Sequence, residues 1–313
     1  MRVRVICPAP PGSLYGNRVT ARRWARILRE LGHRVTVATD YQEEPCDALI
    51  ALHARKSADS VLAFRDLHPQ RPCIVALTGT DVYQDIRTDR RARLVLELAT
   101  HLAVLQPLAI EELAEHQRAK ATVIYQSAEK TTGPIKKRED VFDVCVVGHL
   151  REVKDPFRTA MAARRLPAAS KVRVLHAGEA MDEAMARRAQ SEEKRNRRYK
   201  WLGGIPRHIA RRLVASSRVL VLSSRMEGGA NVISEAVVDG VPVVVSRIAG
   251  SVGLLGADYP GYFGVGDTRA LSQLLERVES DRRFRGRLEA WCARVAPLFR
   301  PERERAAWKR LLR

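Results

Sequence analysis

The chain is poor in cysteine. It has five in 313 residues, Cys7, Cys46, Cys73, Cys145 and Cys292, and no two form a Cys-x-x-Cys pair. Scattered and odd in number, they exclude a disulfide framework or a zinc knuckle and read as small apolar core residues in a reduced compartment. No apolar run approaches the roughly 18 residues a membrane-spanning helix needs, so no stable membrane association is expected. The N-terminus enters a strand, Val3–Cys7, with no cleavage pattern before it, and the expected location is the cytoplasm. Zinc-finger spacings and aromatic RNP motifs are missing, so nucleic acid is not an expected partner. Internal repeats and low-complexity segments are also missing.

Acidic charge falls short of basic charge. Lys and Arg number 55 against 36 Asp and Glu, a net charge of +19 that spreads over both halves. Such a field attracts nucleotides, phosphates and other anions. The densest run is Lys194-Arg195-Asn196-Arg197-Arg198-Tyr199-Lys200. Two readings are open for it: a solvated helix end and loop, or a docking surface for RNA or membrane.

What the chain does contain is a regular alternation of apolar strands and amphipathic helices. The pattern predicts strands over Val3–Cys7, Arg34–Ala38, Ala48–Leu52, Ile74–Leu77, Leu102–Leu105 and Thr122–Tyr125. Between them it predicts helices over Val19–Leu31, Ala58–Leu67, Thr88–Ala99 and Ala109–Gln117. Polar residues from Ser127 to Asp140, with Gly133-Pro134, read as a linker. A second series starts at Val141–Gly148. It continues with helices Pro156–Arg165, Asp182–Ser191 and Pro206–Ala215, and with strands Val172–His176, Val219–Leu222 and Val241–Val245. The tail from Asp267 is expected to be helical. The alternation predicts an α/β fold with parallel sheets in two domains, 1–138 and 139–300.

The most informative stretch is Glu227-Gly228-Gly229-Ala230-Asn231-Val232-Ile233-Ser234-Glu235. It lies between a buried-strand pattern and a helix, at the sheet edge where open α/β folds bind ligands. Glycine at 228 and 229 admits a ligand close to the backbone. The first-turn N–H groups near Asn231 and Val232 favour an anion. Glu227 and Glu235 can accept hydrogen bonds from sugar hydroxyls. Together these parts describe a site for a sugar joined to a phosphate.

In this segment the chain resembles the retaining nucleotide-sugar glycosyltransferases of the GT-B fold, whose E-x7-E element matches Glu227 and Glu235. The resemblance implies two Rossmann-like domains facing across a cleft, with a C-terminal helix, 301–313, packed back on the N-terminal domain. It assigns Glu227 to the donor's sugar hydroxyls and Glu235 to the ribose. Gly228, Gly229, Ala230, Asn231 and Val232 lie along the donor, and Leu202 and Gly203 contact the uracil base. In Gly148–Pro156, Lys154 matches the family's diphosphate-binding lysine. His149 stands where an arginine is usual, which points to Arg151 as the substitute. Asp-x-Asp, the metal-holding triplet of metal-dependent transferases, is missing from the sequence. The expectation is a UDP-sugar as co-substrate, with no metal and no other cofactor.

On the first domain, Pro8–Arg18, with Gly16 and Asn17, resembles the family's glycine-rich loop that lies against the donor and acceptor. Thr20 and Arg23 face the cleft if the helix begins near Arg18; Arg23 also reads as an ordinary exposed helix arginine. His53, Arg55 and Lys56, with Thr78, Gly79 and Thr80, form two loops suited to a small anionic acceptor, and His53 is also a catalytic candidate, for the later loss of phosphate from the product. Asp81 reads as a helix cap or as part of that loop. Arg247–Gly253 matches a further family loop near the donor.

Four segments together narrow the resemblance: Gly16–Ala21, His53–Ala58, Leu77–Tyr83 and Val147–Pro156. They resemble the selenosugar synthases of selenoneine biosynthesis over nearly the whole chain. That implies selenophosphate as acceptor, UDP-N-acetylglucosamine as donor, and a carbon–selenium bond in the product. Two alternatives stay open: transfer to a lipid, glycan or small alcohol, and a non-catalytic RNA- or nucleotide-binding protein. Oligomeric state is not legible in the sequence.

Overall fold

A computed structural model describes residues 1–312. The chain divides into two units. The first holds residues 1–127, 227–230 and 300–313, and the second holds 128–226 and 231–299. The second unit begins at Ala128, earlier than the boundary expected after 138. The polar segment is fixed there by side chains: Thr131 N–H and hydroxyl donate to Asp239, and Arg212 donates to the Pro134 carbonyl at 2.9 Å.

The first unit runs β1 (Arg2–Ile6), α1 (Gly16–Glu30), β2 (Arg34–Ala38), β3 (Ala48–Leu52), α2 (Ala58–Leu67) and β4 (Cys73–Leu77). A π-turn over Asp81–Asp85 leads into α3 (Ile86–Thr88). Then follow α4 (Arg90–Leu98), β5 (His101–Val104), α5 (Glu115–Arg118) and β6 (Ala121–Val123). All strands pair parallel in the order β2-β1-β3-β4-β5-β6. β3 and β4 are buried along their whole length, as continuous apolar runs covered on both faces must be.

The second unit runs β7 (Phe142–Val147), α6 (Arg158–Ala163), β8 (Val172–Ala177), α7 (Glu183–Arg195), β9 (Tyr199–Trp201) and α8 (Arg207–Ser216). It continues with β10 (Val219–Leu222), α9 (Asn231–Val238), β11 (Val243–Ser246), α10 (Ala249–Leu255), β12 (Tyr262–Phe263), α11 (Thr268–Ser280) and α12 (Arg282–Val295). Its sheet is parallel in the order β12-β11-β10-β7-β8-β9. The last helix, α13 (Pro301–Leu311), belongs to the first unit. There Trp308 meets Trp24 edge-on at 4.8 Å between ring centroids. The buried Glu304 accepts from Trp24 Nε1 at 2.7 Å, from the Ser127 N–H at 2.9 Å and from the Ser127 hydroxyl.

Several expected elements differ. The helix expected over 109–117 is a chain of tight turns and only four helical residues, α5. Gln106 Oε1 accepts the Leu108 N–H at 2.7 Å, and Gln117 Oε1 accepts the Ala114 N–H at 3.2 Å; these local bonds interrupt a continuous helix. The helix expected from Thr88 starts at Arg90, because Asp89 caps it by accepting the Ala92 N–H at 2.9 Å. β9 lies at the end of the basic run, where a loop was expected. It is an edge strand, a place where charged side chains are common.

Candidate functional site

In the first unit, two loops follow the C-terminal ends of neighbouring parallel strands. His53–Ser57 follows β3 and Thr78–Thr80 follows β4. Asp81, with no exposure, ties them together. Its carboxylate accepts the Ala54 N–H at 3.0 Å, the Thr78 N–H at 3.0 Å and the Gly79 N–H at 2.7 Å. Asp81 is therefore not the cap of its own helix; it is a buried anchor for two loop backbones.

His53 is held in the left-handed region, φ 76°, which is uncommon for a residue other than glycine. Its N–H donates to the Ala76 carbonyl at 2.8 Å, which fixes that turn against β4. Nδ1 lies 4.0 Å from Asp81 and accepts the Lys56 N–H at 3.4 Å. Nε2 lies 3.3 Å from the Thr80 hydroxyl and 3.7 Å from Asp85. Burial lowers the His53 pKa below its ordinary value; Asp81 and Asp85 oppose that shift and Lys56 and Arg55 add to it. Burial favours the neutral imidazole, which stands among the Thr80 hydroxyl, the carboxylates of Asp81 and Asp85 and the cations Arg55 and Lys56. Arg55 Nε pairs with Asp85 at 3.2 Å, with half its side chain exposed, and Lys56 is exposed. Asp85 was not singled out from the sequence. The π-turn that carries it inward leaves no apolar periodicity to read.

Glu227–Ala230 also belongs to the first unit. A methyl group on Gly228 would stand 2.6 Å from the Thr78 carbonyl carbon and 2.7 Å from the Gly79 nitrogen. One on Gly229 would stand 2.6 Å from Leu105 Cβ. Glycine is needed at both positions for close packing of this loop, beside any role with a ligand. Glu227 itself is buried.

α1 begins at Gly16, so Gly16 and Asn17 form its first turn instead of a preceding loop. Thr20 is buried and accepts from Gln126 Nε2 at 2.6 Å. Arg23 is not an exposed helix arginine, because its Nε pairs with Glu304 at 3.0 Å in the interior. Both side chains thus serve the packing of the first unit.

In the second unit, Gly148–Pro156 follows β7. The buried His176 bridges to it, with Nε2 3.1 Å from the Gly148 carbonyl and Nδ1 3.0 Å from the Tyr199 hydroxyl. Burial lowers the His176 pKa to about 4. His149 Nδ1 accepts the Glu179 N–H at 3.2 Å, which directs its ring to that backbone. Arg151 is exposed at the N-cap of a single 3-10 turn that ends in the half-buried Lys154. The next residue, Asp155, is left-handed (φ 45°) and receives Arg158 Nε at 2.7 Å; its carbonyl takes the Ser223 hydroxyl at 2.9 Å. These bonds fix the loop beside the end of β10. Leu202 and Gly203 (φ 65°) lie in the turn after β9, bonded to the His176 carbonyl and the Gly178 N–H at 2.8 Å each.

Asn231 and Val232 open α9, and Glu235 sits buried one turn along. Arg207 Nη2 donates to Glu235 Oε1 at 2.8 Å. Much of the expected loop Arg247–Gly253 is helical, as α10. The basic run is largely committed within the fold. Arg195 pairs with Glu192 at 2.6 Å, Lys200 pairs with Glu193, and Arg198 donates to the Pro167 carbonyl at 2.7 Å. Among the described residues, no three His, Cys, Asp or Glu side chains gather as a metal-ligand group. No described helix is long and apolar enough to cross a membrane.

The fold is similar to that of Anabaena HepE, solved with UDP and glucose. The chains are 16% identical, with 100% of this chain and 99% of that one covered and a TM-score of 0.77. Sucrose-phosphate synthase from Thermosynechococcus elongatus is 15% identical, with 99% and 97% covered and a TM-score of 0.76. A glycosyltransferase from Rickettsia africae is 12% identical, with 99% and 97% covered and a TM-score of 0.74. With its two parallel-sheet Rossmann-like domains, the fold is GT-B. The family model "Glycosyl transferases group 1" matches residues 127–290, slightly more than half of the chain and nearly all of the second unit. The chain therefore belongs to the glycosyl transferases group 1.

Proposed function

We propose that this transferase takes a UDP-sugar donor, UDP-N-acetylglucosamine first, and selenophosphate as acceptor, and that it works in the cytoplasm. The observation that carries the reading is the Glu227–Glu235 element within a chain that the glycosyl transferases group 1 model matches over residues 127–290. Support for the nucleotide comes from HepE, which has been solved with UDP and with UDP-glucose. Support for selenium comes from the four sequence segments that resemble the selenosugar synthases.

In this reading the selenium lone pair of selenophosphate attacks the anomeric carbon as the bond to the UDP oxygen breaks. The electron pair of that bond leaves with UDP, and charge grows on the β-phosphate. Arg151, Lys154 and the N–H groups opening α9 stabilise that charge. Glu227 takes the sugar hydroxyls and Glu235 the ribose. Leu202 and Gly203 hold the base. The anionic acceptor is assigned to Arg55, Lys56 and the Thr78–Thr80 loop. Its selenium is already ionised, so a strong general base is not needed. Attack by water on the P–Se bond of the selenophosphorylated sugar then releases phosphate and leaves a 1-selenosugar.

The test is UDP release from UDP-N-acetylglucosamine with and without selenophosphate made in situ, followed by mass spectrometry of the sugar. Selenophosphate-dependent release with a selenium isotope pattern in the product is expected. Release that ignores selenophosphate returns the chain to transfer onto a lipid, glycan or small alcohol. Including EDTA in parallel reactions tests the expected independence from metal.

A further inference from the structure

Arg207 opens α8, just after the turn that holds Leu202 and Gly203. Its Nη2 donates to Glu235 Oε1 at 2.8 Å. Arg211, one turn further, stands 3.9 Å from the same oxygen, but its guanidinium is spent on the fold. It donates to Asp239 at 2.8 Å, to the Glu129 carbonyl at 2.8 Å and to the Thr131 hydroxyl at 3.1 Å. Asp239 is in turn occupied by the Thr131 N–H and hydroxyl. The two arginines therefore differ in kind. Arg211 is buried and ties α8 and α9 to residues 129–131, whereas Arg207 keeps half its side chain exposed and reaches the carboxylate that the donor reading gives to the ribose.

A carboxylate gripped at one oxygen has its rotation fixed and accepts through the other. A ribose offers two adjacent hydroxyls to such an acceptor; a deoxyribose offers one. A site built to bond a hydroxyl rejects the analogue lacking it, because its own polar group is left unpaired. We propose that Arg207 is a positioning residue: it holds Glu235 by Oε1 and so sets the preference of the second unit for ribonucleotides over 2′-deoxyribonucleotides. The inference rests on the UDP-sugar reading of Glu235.

The experiment is calorimetric titration of the full chain with UDP and with 2′-deoxy-UDP, for wild type, Glu235→Gln, Arg207→Met and Arg207→Lys. The wild type is expected to prefer UDP by about tenfold or more, the scale of one lost hydrogen bond to a charged group. Glu235→Gln is expected to lose most of that preference. Arg207→Met is expected to reduce it at least threefold with its melting temperature unchanged, and Arg207→Lys to keep part of it. If Arg207→Met does not fold, Arg207→Lys and Arg207→Gln carry the comparison. Equal weakening toward both nucleotides in the Arg207 variants, while Glu235→Gln loses the preference, would overturn the inference and leave the donor reading standing. An unchanged preference in Glu235→Gln, or a wild type that binds neither nucleotide, would overturn both.

Discussion

The carboxylate of Asp81 lies 4.0 Å from Nδ1 of His53, and it accepts backbone N–H groups from the loops on both sides of that histidine. One buried acid thus shapes the loops after β3 and β4 and sets the place of the imidazole between them. Asp81→Asn puts an amide NH2 against N–H donors. It is expected to cost about 2–4 kcal/mol, the range for a buried acceptor lost from several donors. Urea denaturation measures this; a loss under about 0.5 kcal/mol would show that the loops hold without the acid.

On the proposed donor reading, catalytic and structural roles separate in the loops after β7 and β10. Lys154→Ala and Glu227→Gln are expected to lower turnover by about a hundredfold or more, the scale of one lost charge-stabilising contact. Their melting temperatures are expected to fall much less. Steady-state kinetics beside thermal denaturation checks both, and wild-type turnover in both variants would sink the donor-site assignment.

Two glycines give opposite expectations. A methyl group at Gly178 would stand 1.9 Å from the Gly148 carbonyl oxygen, so the backbones after β7 and β8 would have to part. Gly178→Ala is expected to destabilise by about 1–3 kcal/mol or more. Gly286 lies inside α12, and a methyl group there meets nothing within 4 Å. Gly286→Ala is expected to stabilise by about 0.5–1 kcal/mol through helix propensity.

Stability is expected to fall in mild acid because of His176. Its folded pKa of about 4 lies below the ordinary 6.5, so the unfolded chain binds more protons between those values. The stabilisation is complete above about pH 6.5 and is lost as the pH falls toward 4, by roughly 3 kcal/mol. Comparing urea curves at neutral pH and near pH 4.5 for wild type and His176→Gln isolates this part. An equal pH dependence in the two proteins would contradict it.

Glu304→Ala removes the acceptor for Arg23, Trp24 and Ser127 at once. It leaves the Arg23 charge buried, and a cost of about 3–5 kcal/mol is expected. Limited proteolysis of the chain end containing α13 reports the same loss; unchanged resistance would show that the Trp24–Trp308 contact suffices.

The sequence determined the fold class and most strand positions on its own. Apolar runs such as Ala48–Leu52 and Val219–Leu222 leave few alternatives to buried parallel strands, and the glycine pair at 228 and 229 signals a close approach, although the neighbours that make it, Thr78, Gly79 and Leu105, are seen only in the structure. Both signals are local, carried by residues adjacent in the chain. What Arg23, Asp85 and Arg207 do was not legible, because each is defined by partners far away in sequence, and Asp81 ties its own loop to Ala54 across 27 residues. Arg23 meets Glu304 from the last helix, and Arg207 meets Glu235 across 28 residues. A charged side chain reads as solvated until its partner is placed. Only the tertiary structure decides whether a charge goes to the fold or is left for a ligand, because burial makes an unpaired charge too costly to keep.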